Sequence, residues 1–122
     1  MKNYIGQVIN LTGDSYLNPP WSGHSRNVGT ITSISIHHNA IQRAKDYDSV
    51  ALYRNEAASH YQNLGPGLQY HYTIDNVGQI FAIRPHTTWL HAVGSAENTT
   101  MLAICLDGNF ENQQPTREQF EA

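Results

Sequence analysis

The side chains that could do chemistry in this 122-residue chain are seven histidines, a set of tyrosines and one cysteine. Imidazole titrates near neutrality and binds transition metals, so the histidine enrichment points to acid–base or metal chemistry. His37 and His38 are adjacent in Ser33-Ile34-Ser35-Ile36-His37-His38-Asn39-Ala40, Tyr70 precedes His71, and His91 follows Trp89. A catalytic zinc takes three protein ligands and keeps one position for water. No H-E-x-x-H, C-x-x-C or H-x-H spacing occurs, so any metal site must be assembled from distant parts of the chain. Neighbouring residues of a strand point to opposite faces, which keeps His37 and His38 from sharing one ion. Cys105 as a thiol nucleophile is the weaker reading, because a cysteine inside Met101-Leu102-Ala103-Ile104-Cys105-Leu106 behaves as a small buried hydrophobe. His60, one helical turn after Glu56, reads as half of a surface pair. Tyr70 and Tyr72 read as packing residues on one strand face, one of them nearer a cleft.

These groups need elements to position them. The stretch that ends in His37-His38 reads as a strand, about residues 31–37. Its period of two puts Ile34, Ile36 and His38 on a face expected to meet the core, and Ser33, Ser35 and His37 on the other. Residues 1–30 are rich in Asn, Gly, Pro and Ser. They predict an extended arm with a short strand near Tyr4–Leu11, packed on the core through Ile5, Val8, Ile9 and Trp21. Asp46 or Asp48 caps a following helix, whose apolar face is Val50, Tyr53, Ala57, Tyr61 and Leu64. Leu64-Gly65-Pro66-Gly67 stops it. Gln69–Ile74 and Gln79–Ile83 read as the arms of a hairpin turned by Asp75-Asn76-Val77-Gly78. A loop carries His86, Trp89 and His91. Residues 101–106 are apolar on both faces, the pattern of a central buried strand. Thr116 and Gln119 have capping-box spacing at the start of a last helix that runs about two turns.

Composition bounds the function. Hydrophobic residues are 39% and charged residues 14%, enough for one modest core under a polar, weakly charged surface. A net charge of −3 without a Lys/Arg run argues against a nucleic-acid or anionic-membrane partner. No apolar stretch approaches the ~20 residues that span a bilayer. The N-terminal residues lack an apolar signal-peptide core, so the expectation is synthesis in the cytoplasm. Cys105 is the single cysteine, so the fold stands without an intrachain disulfide.

Three blocks resemble the zinc-dependent N-acetylmuramoyl-L-alanine amidases of the type-2 amidase and peptidoglycan recognition protein family, phage endolysins in particular. Ile34-Ser35-Ile36-His37-His38-Asn39-Ala40 is similar to the family's first strand, which ends in a zinc-binding histidine. Tyr70-His71-Tyr72-Thr73-Ile74-Asp75-Asn76-Val77-Gly78-Gln79-Ile80 is similar to its Y-H-[FY]-x-I-D-x-x-G-x-I hairpin. Trp89-Leu90-His91-Ala92-Val93-Gly94, followed by Asn98 to Gly108-Asn109-Phe110, resembles its W-x-H-A-G and N…G-N-F block. Pro115-Thr116-Arg117-Glu118-Gln119 resembles the opening of the family's last long helix.

The resemblance implies an α/β fold with a mixed central β-sheet flanked by helices. Residues 1–30 would be an arm on the core, and residues 31–122 the N-terminal two-thirds of an amidase domain with its C-terminal helix incomplete. It implies His37 as a zinc ligand, Tyr70 as a catalytic hydroxyl, and His91 and Asn98 as substrate-binding residues. Cys105 falls where many members place a catalytic glutamate. The partner implied is the muramoyl-peptide of peptidoglycan, cleaved between N-acetylmuramic acid and L-alanine on the cell wall after release by a phage lysis system. The family's remaining zinc ligands follow its last helix, so zinc is expected to be weakly held or absent in this chain. That leaves a peptidoglycan-binding module or inactive amidase fragment as the alternative function. Apolar surface left by the incomplete helix predicts self-association.

Overall fold

The structure, a computed structural model, describes residues 7–40, 47–91, 96–111 and 114–122. Its strands are β1 (Val8–Asn10), β2 (Ser33–His38), β3 (Tyr72–Ile74), β4 (Ile80–Ala82) and β5 (Met101–Leu106); its α-helices are α1 (Ser49–Asn63) and α2 (Arg117–Glu121). The strands form one mixed sheet in the order β1-β4-β3-β5-β2. β3 and β4 are the antiparallel hairpin, and the other three pairings are parallel. β5 lies inside the sheet, as its two apolar faces require. Its register with β2 sets Cys105 opposite His37.

Helix α1 begins where Asp48 accepts the Ala51 N–H at 3.1 Å, satisfying one of the donors a helix start leaves unpaired. Tyr53 and Ala57 turn to the sheet and pack with Phe81, Ala103 and Cys105 and with Leu17, Leu68, Tyr70 and Ile83. Each large side chain buried in this way contributes roughly 1.5–3 kcal/mol. The chain leaves the helix through Gly67, whose φ of +82° is left-handed. A Cβ there would lie 2.1 Å from Arg84 Nη1 and 2.5 Å from the Leu17 carbonyl oxygen. Nη1 of the buried Arg84 donates to the carbonyls of Leu17 (3.2 Å) and Pro66 (2.8 Å), tying arm, post-helix turn and hairpin together. In α2 the capping box forms in full: Thr116 Oγ1 accepts the Gln119 N–H, and Gln119 Oε1 accepts the Thr116 N–H.

Several expectations are corrected. Ile34 and Ile36 are 60% and 67% exposed, so the isoleucine face of β2 points away from the core under α1. His37 is on the covered side, and His38 on the open side beside Phe110. Alternation defines two faces, but the path of the chain decides which one a helix covers. The arm is anchored by the fully buried Leu17, while Val8 and Ile9 are exposed on edge strand β1; Ile5 lies outside the described residues, as does Asp46. Tyr61 and Leu64 are also exposed, which narrows the buried stripe of α1. Tyr70 and Tyr72 do not share a face: Tyr70 precedes β3 and turns into the core under α1, whereas Tyr72 sits within the regular pairing opposite Ala82 and Ile104.

Candidate functional site

β2 delivers His37 to the end of the covered face. Its Nε2 lies 2.9 Å from Ser35 Oγ, two residues back on the same face. Its ring centroid is 5.8 Å from that of Tyr70. Burial, and then the neighbouring His38, push the His37 pKa below the ordinary value and favour the neutral imidazole. Burial above all raises the Tyr70 pKa far above the usual phenol range, so its hydroxyl keeps its proton. The His60 ring stands edge-on to that of Tyr70, at 5.4 Å between centroids. His60 Nδ1 accepts the Gln69 N–H at 3.1 Å. Burial lowers the His60 pKa to about 4, so this ring too is neutral.

Gln69 connects this group to a second one. Its Oε1 accepts the His91 N–H at 3.0 Å, while its side-chain amide donates to Pro66 O at 3.1 Å. His91 Nε2 lies 3.1 Å from Nε2 of His24. The His24 ring is stacked between Trp21, 3.5 Å away at 13°, and Trp89, 4.0 Å away at 26°. The backbone holds the arm there: Trp89 N–H donates to His24 O, and Arg26 N–H to Thr87 O. Arg26 also clasps the loop, donating from Nε to His86 O (2.7 Å) and from Nη1 to Met101 O (2.8 Å) and Thr99 O (3.1 Å). Asn98 is buried in the 3-10 turn Ala96–Thr100, with its carbonyl 3.4 Å from Arg26 Nη1.

Beneath Tyr70 lie acidic groups that water barely reaches. Asp107, at the end of β5, accepts from Tyr53 (2.7 Å) and Tyr47 (2.8 Å). Glu56 of α1 is 6% exposed, and neither of its oxygens has a hydrogen-bond partner among the described residues. Burial, and then the charge of Asp107, push its pKa up to about 8. The Cys105 thiol is fully buried and its pKa is raised well above the usual thiol range, chiefly by burial. Burial thus favours the neutral thiol over a thiolate nucleophile.

The structure brings His37 and Tyr70 together and ties His91 to Gln69, the neighbour of Tyr70. It places Asn98 with the Arg26 clasp. His71 is structural: Nδ1 accepts the Ala103 N–H at 3.0 Å, so the ring proton is on Nε2 and donates to Thr88 O at 2.7 Å. The surface pair of His60 with Glu56 does not form. Tyr53, Glu56, Ala57 and His60 fall at spacings of three, four and seven, one helical stripe that meets the sheet. That signal was present in the sequence, but the polar character of Glu56 and His60 masked it. His24 gave no periodic signal, because its role depends on a bridge between the arm and a loop far along the chain. The residues implied for zinc fit poorly. Among the described residues, no three His, Cys, Asp or Glu side chains gather to hold a metal ion, and His37 stands as a single imidazole.

In comparisons with known proteins, no curated sequence matches the chain. Solved structures with the same fold include the amidase LysC from Clostridium intestinale URNW, at a TM-score of 0.65 and 19% identity over 93% of this chain and 66% of that one. They also include the Drosophila peptidoglycan recognition protein SD, at 0.73 and 22% over 93% and 68%. A third is the peptidoglycan recognition protein LE in complex with tracheal cytotoxin, at 0.77 and 18% over 94% and 68%. The chain thus spans about two-thirds of the length of these structures. The family described as N-acetylmuramoyl-L-alanine amidase (Amidase_2) matches residues 27–122, so strands β2 to β5, α1, His37, Tyr70 and His91 all fall inside the match, and edge strand β1 lies before it. With most of its length matched and the fold shared, the chain belongs to the type-2 amidase and peptidoglycan recognition protein family.

Proposed function

We propose that this chain recognises the muramoyl-peptide of peptidoglycan and serves a hydrolase that cleaves the amide between N-acetylmuramic acid and L-alanine. The observation that carries this reading is the pairing of a neutral His37 with the protonated hydroxyl of Tyr70, in a chain whose family is the amidases. In this reading His91 and Asn98 contact substrate. Tyr70 donates its O–H to the oxygen that gains charge as the amide carbonyl becomes tetrahedral. One such donor, fixed in a site sheltered from water, contributes about 2–4 kcal/mol to the transition state. His37 is the imidazole offered to zinc, and hydrolysis requires further ligands to join it. In this reading the chain is made in the cytoplasm and acts on the cell wall after release. The same reading includes self-association with a second copy through the open face of β2.

A second reading is a peptidoglycan-binding module without hydrolysis. It is favoured by the lack of a three-ligand cluster among the described residues. Two measurements on the purified chain separate the two: zinc content, and release of L-alanyl peptide from N-acetylmuramoyl-L-alanyl-D-isoglutamine with added zinc. Hydrolysis that His37→Ala abolishes supports the amidase. Binding of the muramoyl-peptide with less than one zinc per chain and no turnover supports the binding module. Neither binding nor turnover would remove both.

A further inference from the structure

His24 lies in the arm, outside the span matched to the family, yet its ring reaches the histidine expected to meet substrate. The contacts of that ring decide where the protons sit. Its Nδ1 is 3.3 Å from the Ser22 carbonyl oxygen, which can only accept, so Nδ1 carries the proton. The neutral ring then has a bare Nε2. That nitrogen lies 3.1 Å from His91 Nε2, which must therefore be the donor. His91 is fixed with its proton on Nε2, and its Nδ1 is left as a bare acceptor. The stack of Trp21, His24 and Trp89 keeps the His24 ring from turning, and Gln69 holds the backbone of His91.

We propose that His24 is a positioning residue, supplied by the N-terminal arm, that locks the tautomer of His91 and makes it a hydrogen-bond acceptor toward its ligand. The group met there is consequently a donor, such as an amide N–H or a sugar hydroxyl, and not a carbonyl or carboxylate. The ligand half of this inference rests on the peptidoglycan reading; the tautomer half does not.

The test is nuclear magnetic resonance of the 15N-histidine-labelled chain, at a pH where the imidazoles are neutral. Long-range proton–nitrogen correlations there report which ring nitrogen is protonated. The expected result is His91 protonated on Nε2 and His24 on Nδ1. His24→Ala should release His91 into a mixture of tautomers, whereas His24→Gln, whose Oε1 can accept, should preserve it. His71, whose tautomer is set by the core, reports on folding of each variant. If His24→Ala fails to fold, the wild-type tautomers and the Gln variant still decide the matter. His91 protonated on Nδ1 in the wild type, or unchanged in a folded His24→Ala, would overturn the proposal. The same samples titrated with N-acetylmuramoyl-L-alanyl-D-isoglutamine test the ligand half. His24→Ala should weaken binding about five- to tenfold, the size of one hydrogen bond, and His24→Gln much less. With the tautomers as expected, no binding by the wild type overturns the peptidoglycan half and leaves the positioning role standing.

Discussion

Glu56 is the residue at which the molecule is least like its sequence. Its carboxyl titrates at about 8 in the fold, against an ordinary value of 4.5. Between those values the folded chain holds a proton that the unfolded chain has released. Stability contributed at this position is therefore complete below about pH 4.5 and is lost as the pH rises toward 8. Glu56→Gln keeps the shape and removes the titration. The variant should match the wild type near pH 4 and exceed it by on the order of 3–5 kcal/mol at about pH 9, read as a shift in urea midpoint with pH. His60 and His71 act in the opposite sense. Both are held neutral with pKa values of about 4, so their contribution is present above 6.5 and is lost as the pH falls from 6.5 toward 4. An unchanged alkaline midpoint in Glu56→Gln would show that the carboxyl is solvated. The sequence marks His37 and Tyr70 as candidates because both sit in motif blocks. It hid Glu56 and His60 because a polar side chain on a buried stripe looks like surface until the covering sheet is placed.

At the scale of elements, local chemistry was readable and orientation was not. The Asp48 cap, the 75–78 turn, the β5 boundaries and the Thr116–Gln119 capping box all depend on residues close in sequence, and each forms as its local signals require. The covered face of β2 depends on where α1 lands, and a period of two carries no information about that. Gly67 shows how tightly the landing is set. Its left-handed backbone lies against Arg84 and the Leu17 carbonyl, so Gly67→Ala combines strain with collision. It should cost more than ~3 kcal/mol, measured by chemical unfolding. Gly23 has a similar φ of +80°, but nothing lies within 4 Å of its would-be Cβ. Its Ala variant should lose only about 1 kcal/mol. Equal losses at the two sites would mean that the turn after α1 yields easily.

On the scale of the whole molecule, the sheet is dressed unequally. α1 covers the face that carries Phe81, Ala103 and Cys105, whereas Ile34 and Ile36 remain exposed on the other, where Ile36 and the exposed Phe120 line a groove with Leu106 and Phe110. A contiguous apolar surface of this kind favours association. The purified chain should show a mass that rises with concentration in light scattering, and Ile36→Lys should hold it monomeric without loss of helix signal. A wild type that stays monomeric at high concentration would defeat this expectation. The family and the mixed sheet were legible from the order of three motif blocks. The arm was less so: Leu17 and His24 acquire their roles only when residues 17–26 meet loops more than forty positions away.

Cys105 gives the buried half of the sheet a use at the bench. Its sulfur is the single thiol in the chain and lies sealed between β5 and the layer above it. A maleimide can reach it only in moments when that layer lifts. The labelling rate is then the product of an opening equilibrium and a known reagent rate. The unaltered chain is thus its own gauge of how often the floor of the candidate site comes apart.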